Sequence, residues 1–171
     1  MEQRLTGLVS AYGDTALVAL ALDAVETSQC ERRDQSLPPS SNDWEVNPKT
    51  ILTVLTYCYA VGIYNPEDVE DAIEEHPAVS YLAARKSPSA VAIRRYRREH
   101  RALLAQTLAG FLQGVWIVAE AGVDPTCIDL GKLSQIKDSA NISAGLKLEF
   151  SRLAEDHLRL AVLWDGPAMH D

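Results

Sequence analysis

The sequence predicts an all-α protein, a multi-helix bundle with a helix-turn-helix-like unit at its centre. Three observations carry that reading. Ala, Leu, Glu and Arg dominate while aromatic residues make up 6% of the chain, and no long stretch alternates apolar and polar residues with period two. Apolar residues recur instead at intervals of three and four. Three pairs, Asn47-Pro48, Asn65-Pro66 and Ser87-Pro88, combine a capping side chain with a proline suited to the first helical turn. At 171 residues and 47% hydrophobic content, the chain can hold one ordinary domain with helical extensions.

Leu5, Leu8, Val9, Tyr12, Ala16, Ala19 and Leu20 share a helical stripe and predict a first amphipathic helix over 5–33, within an N-terminal segment 1–34. Residues 35–46 contain Pro38-Pro39-Ser40-Ser41-Asn42 and read as a linker. A central domain over 47–113 opens with Asn47 as cap and Pro48 in the first turn, and its first helix stops near Gly62. Asn65-Pro66 starts a helix over 66–75, with Glu67 and Asp68 where the helix dipole favours acids. A short helix over 77–85 follows. Ser87-Pro88 then starts a long helix from Pro88 towards Ala121, with Gly110 and Gly114 as the places where it would bend. The C-terminal extension, 114–171, is expected to hold a short helix near 128–137 and an amphipathic helix over 144–164 that buries Leu146, Phe150, Leu153, either His157 or Leu158, Ala161 and Trp164.

Several classes of chemistry find no support in the residues. Cys30, Cys58 and Cys127 are far apart and no pair has the CxxC spacing of a zinc site, while the four histidines are scattered. Glycine-rich phosphate loops, GxSxG and HExxH are absent. Asp156-His157 reads as a core histidine beside a surface acid, because adjacent helical residues point about 100° apart. No cofactor, metal site or catalytic residue is expected. Apolar runs such as Leu112–Val118 fall short of the ~20 residues a membrane span needs, and the first residues do not resemble a signal peptide. The expected setting is the cytoplasm, with no membrane partner.

Charge is distributed unevenly. The formal total is −8. Between Arg85 and Arg101, however, seven cations face the single acid Glu99, giving this window +6 and leaving −14 for the remainder. Local potential steers a polyanion more than net charge does. On the helix after Pro88, Ile93, Tyr96, His100, Leu103, Leu104, Thr107 and Phe111 form one stripe. Arg94, Arg98 and Arg101 lie on a different face of the same cylinder, with Arg95 and Arg97 beside them. A helix that packs by one side and offers guanidinium forks on another suits bidentate bonds to phosphate or to the guanine edge.

These features together resemble the N-terminal domain of InsH-like bacterial insertion-sequence (DDE) transposases. The similarity runs from Asn47 to about Leu112. It is carried by Pro48, the Leu- and Tyr-rich run Leu52–Tyr59, Gly62, Asn65-Pro66-Glu67-Asp68-Val69-Glu70, Tyr81-Leu82, Ser87-Pro88-Ser89 and Ile93-Arg94-Arg95-Tyr96-Arg97-Arg98-Glu99-His100. The family usually has a basic residue where this chain has Glu67. It also continues into a catalytic domain whose strands position three carboxylates, whereas Asp124, Asp129, Asp138 and Glu149 stand here on helical or loop patterns.

The resemblance implies a non-catalytic DNA-binding protein, acting as a regulator. Arg94, Arg95, Arg97, Arg98 and Arg101 would meet the phosphates and base edges of double-stranded DNA, and Arg85 and Lys86 would clamp the backbone. The competing expectation is an acidic helical interaction or assembly protein that leaves DNA alone. It would form a homodimer through its terminal helices.

Overall fold

Leu20 of the second helix sits so close to Gly114 of the seventh that a Cβ added at Gly114 would meet Leu20 Cδ2 at 3.0 Å, and around that contact the bundle is organised. The computed structural model describes residues 1–33 and 44–164. Among them the elements are α1 (Glu2–Ala11), α2 (Asp14–Arg33), α3 (Pro48–Val61), α4 (Pro66–Glu75), α5 (Pro77–Leu82), α6 (Ala90–Glu99), α7 (Arg101–Glu120), α8 (Leu130–Ser139) and α9 (Ala144–Leu163), with a 3₁₀ turn at Pro125–Cys127. No strand occurs among the described residues, so the chain is an all-α bundle. Residues 35–43 of the expected linker lie outside the described ones. Trp44 and Val46, at its end, are half-buried and buried.

α7 is the axis. α1, α2, α3, α6, α8 and α9 all pack against it, and one continuous hydrophobic cluster joins side chains of α1 and α2 with those of α3, α7 and α9. Segments 1–33 and 114–164 therefore build the same core as the central residues. α7 is also the one single described helix long and apolar enough to cross a membrane by length and composition. In this structure other helices of the chain cover it.

α3 is buried at every position from Ile51 to Ala60, as a helix apolar around its circumference must be. Its ends follow local rules. The Asn47 side chain accepts from Lys49 N–H at 2.9 Å. Gly62 adopts φ 94, and its N–H and that of Ile63 return to Tyr59 O and Cys58 O. This closes the helix with a left-handed residue that only glycine takes without strain. Asn65 caps α4 in the same way as Asn47 caps α3. The third device works differently from the sequence expectation. Ser89 rather than Ser87 is the cap, its hydroxyl accepting from Ala92 N–H at 3.1 Å, while Ala90 N–H donates to Glu70 of α4.

Two expected rods are broken. The helix expected over 5–33 divides at Tyr12-Gly13, and its halves stand at 120°. Tyr12 holds the corner by donating its hydroxyl to Val115 O of α7 at 3.2 Å. The helix expected from Pro88 to Ala121 divides at His100, whose backbone leaves helical values (φ −124, ψ 31). The His100 ring packs 4.6 Å from that of Tyr96 and 6.3 Å from Trp44. Gly110 and Gly114, where bending was expected, lie inside an unbroken α7.

The two glycines should respond oppositely to substitution. At Gly110 a Cβ would meet Ala24 Cβ at an ordinary 4.0 Å, so Gly110→Ala is expected to raise unfolding free energy by about 0.5–1 kcal/mol through helix propensity. Gly114→Val is expected to lower it by about 1–3 kcal/mol by overpacking against Leu20. Urea denaturation of both variants checks this; a stabilising Gly114→Val would show that the α2–α7 contact is not tight.

Candidate functional site

The arginine-rich helix was the first candidate, and its side chains divide into three groups. Ile93, Tyr96 and Arg97 are the buried residues of α6. Arg97, only 3% exposed, donates from Nη1 to Tyr59 Oη (3.1 Å), Tyr64 O (3.3 Å) and Ala161 O (3.0 Å). It therefore ties α6 to α3, to the turn after α3 and to the last turn of α9. Ala161 O, in the last turn of α9, also accepts from Trp164 N–H at 3.2 Å, and a cation at a helix C-terminus is favoured by the helix dipole. As a phosphate contact Arg97 is corrected: its fork is enclosed by the chain's own acceptors.

The second group faces the chain's own acids. Arg94 Nη2 lies 2.9 and 3.2 Å from the two oxygens of Glu67, and hydrogen bonding by Arg94 holds the Glu67 carboxyl below its usual range. Arg95 donates from Nε to Glu99 at 2.9 Å and lays its guanidinium 4.1 Å above the Trp44 ring. Arg101 pairs with Glu155 of α9 at 3.3 Å. The expectation that all these forks await a polyanion does not hold for Arg94, Arg95 and Arg101 as they stand.

The third group comprises Arg85, Lys86 and Arg98. These side chains are exposed, and no carboxylate of the described residues pairs with them. Arg85 and the preceding Ala84 have φ of 63 and 52, two consecutive left-handed non-glycine residues in the turn after α5. The acids weighed from sequence have local tasks. Asp124 caps the 3₁₀ turn, Asp129 caps α8 by accepting from Lys132 N–H at 2.8 Å, and Glu149 pairs with Arg152.

A different constellation lies where α1, α9 and the end of α3 converge, around a cleft of about 240 Å³. The Gly62 turn swings Tyr64 back beneath α9, where Tyr64 Oη and His157 Nδ1 share a hydrogen bond of 2.7 Å. Tyr64 also stacks at 5.9 Å on Tyr59, and through Tyr59 and its own carbonyl it connects to Arg97. Glu2 of α1 and Asp156 of α9 stand at the cleft, and Val9, Leu153 and Leu160 give it apolar walls. Burial pulls the His157 imidazole below its ordinary pKa, against the opposing influence of Glu2, Asp156 and a bond to the Tyr59 backbone. Burial pushes the Tyr64 phenol up, with Glu2 adding to the rise.

This cleft was not read from the sequence. Tyr64 and His157 are 93 positions apart, and no spacing rule links them. A signal for Arg97 did exist: it stands four residues after Ile93, inside the buried stripe. The Trp164 expected in the core is exposed at the end of α9.

Arg97→Ala is expected to cost about 2–4 kcal/mol of stability, because it takes a donor from the Tyr59 hydroxyl and the Tyr64 carbonyl and opens a cavity. Arg98→Ala should stay within about 0.5 kcal/mol. Urea denaturation compares the two, and equal effects would remove Arg97 from its structural role. A pH dependence follows from His157. Its folded pKa is lowered from 6.5, so the unfolded chain takes up the proton first as pH falls. The stabilisation is complete above pH 6.5 and declines below it until the folded imidazole itself titrates. Unfolding measured across that range should show the decline, and His157→Asn should remove it; an unchanged slope in the variant would assign it elsewhere.

Comparison with family models, with curated proteins and with solved structures found no match to the chain.

Proposed function

We propose that the chain is a helical protein-interaction module that self-associates through the exposed face of α9. The carrying observation is where apolar surface remains. Leu148 and Leu163, at opposite ends of α9, are 71% and 72% exposed, and Leu160, Val162 and Trp164 are exposed beside Leu163. A helix whose last turn is apolar on every side calls for a cover on every side. Here only Ala161 of that turn is buried by the chain itself.

The leucines of this face can be matched between two copies. Between the two leucines run Glu149–Arg152 and Asp156–Arg159, exposed pairs of both signs one turn apart. Two copies of α9 laid antiparallel about a two-fold axis near residue 155 would set Leu148 of each against Leu163 of the other. Such an isologous contact satisfies both copies at once. Burial of these leucines supplies the attraction, and since each arginine between them is paired with an acid of its own copy, charge adds little to it.

DNA binding draws less support from this geometry. With Arg97 buried and Arg94, Arg95 and Arg101 on internal carboxylates, three exposed cations remain for a polyanion. Contacts through Arg85, Lys86 and Arg98 alone would give a log K against log[salt] slope near −3, against about −4 to −5 for five phosphates.

Sedimentation equilibrium tests the reading. The chain should show a reversible monomer–dimer equilibrium, and Leu148→Glu and Leu163→Glu should each weaken it by about a hundredfold while leaving the helical circular dichroism unchanged. A chain that stays monomeric at every concentration, or one whose dimer ignores both substitutions, overturns it. Binding of fluorescent duplex DNA with the steeper salt slope would favour the nucleic-acid alternative.

A further inference from the structure

We propose that the cleft between α1 and α9 is a binding site for a small organic cation, a primary ammonium group carried on a short apolar body. The cleft of about 240 Å³ is lined by Val9, Leu153 and Leu160 on its apolar side and by the carboxylates of Glu2 and Asp156 on its polar side. No lysine or arginine lines it. Among the described residues Glu2 has no cationic partner, and Asp156 is paired with Arg159, a mostly exposed side chain, at 3.3 Å. The one basic group in the cleft, His157, is engaged through Nδ1 by the Tyr64 hydroxyl.

Each end of the ligand has a reason to stay. An ammonium at these carboxylates gains charge-assisted hydrogen bonds, which the partial exposure of both acids keeps modest. The alkyl body removes apolar wall from water. A carboxylate of the same shape would meet two like charges, and a neutral alcohol would gain the apolar contact alone. Discrimination therefore lies in the head group. The His157–Tyr64 pair, held from behind through Tyr59 and Arg97, forms a fixed wall and a reporter within the cleft.

The test uses three probes with one alkyl body: isopentylamine, isopentanol and isovalerate. Each is added at fixed pH while the His157 and Tyr64 ring resonances are followed by NMR. Isopentylamine should shift both rings saturably, isopentanol more weakly, and isovalerate not at all. Glu2→Gln should weaken amine binding about three- to fivefold, the range of a partly exposed ion pair. Leu160→Lys places a competing ammonium in the cleft from a position that is already half exposed, and should abolish binding without unfolding α9. Equal shifts from all three probes, or amine binding unchanged in both variants, would overturn the assignment.

Discussion

A single guanidinium enclosed where four segments meet sets the terms for the rest of the bundle. Burying a charge is tolerable only where acceptors surround it. The acceptors around Arg97 come from the last turn of α3, the turn that follows it and the final turn of α9. None of these can slide along α6 without leaving a donor or a carbonyl unanswered. Apolar packing alone would permit many registers between smooth helices. A fork with fixed directions selects one. The same contact holds Tyr59 and Tyr64 in place and, through Tyr64, the imidazole of His157.

Electrostatics follows from this arrangement. The window of seven cations is strongly positive in sequence but much less so in space. Glu67 comes from α4, Glu99 from the same helix and Glu155 from α9, and each takes one arginine. Arg97 is withdrawn altogether. Of the seven, Arg85, Lys86 and Arg98 are left with no paired carboxylate among the described residues. Arg4, Arg94, Arg97 and Arg101 each join helices that are remote in sequence, as the separation of 54 residues between Arg101 and Glu155 illustrates.

The helical class, the caps at Asn47 and Asn65 and the glycine stop at position 62 were legible because each depends on a few adjacent residues. The breaks were not. Nothing at His100 is a helix breaker by type, and the interruption coincides with the stacking of its ring near Trp44 and Tyr96, a tertiary fact. The basic run Ile93–Glu99 was legible as a helix but misread in its facing, since charge was taken as outward. A wheel drawn strictly on Ile93 and Tyr96 puts Arg97 inside. The cleft was illegible for a different reason: its members come from the first helix, the end of the third and the last, and their meeting is set by how α1 and α9 straddle the core.

The central place of α7 has a bearing on how the chain comes into being. During synthesis on a ribosome, α1, α2, α3 and α6 emerge before the helix they close upon. Until Glu120 has left the tunnel, α3 is covered only by α1, α2, α5 and α6, and the side that packs on α7 stays open. Non-local closure of this kind delays productive folding and leaves sticky intermediates exposed. The nascent first half is therefore the stage at which the chain leaves the most of this apolar surface open.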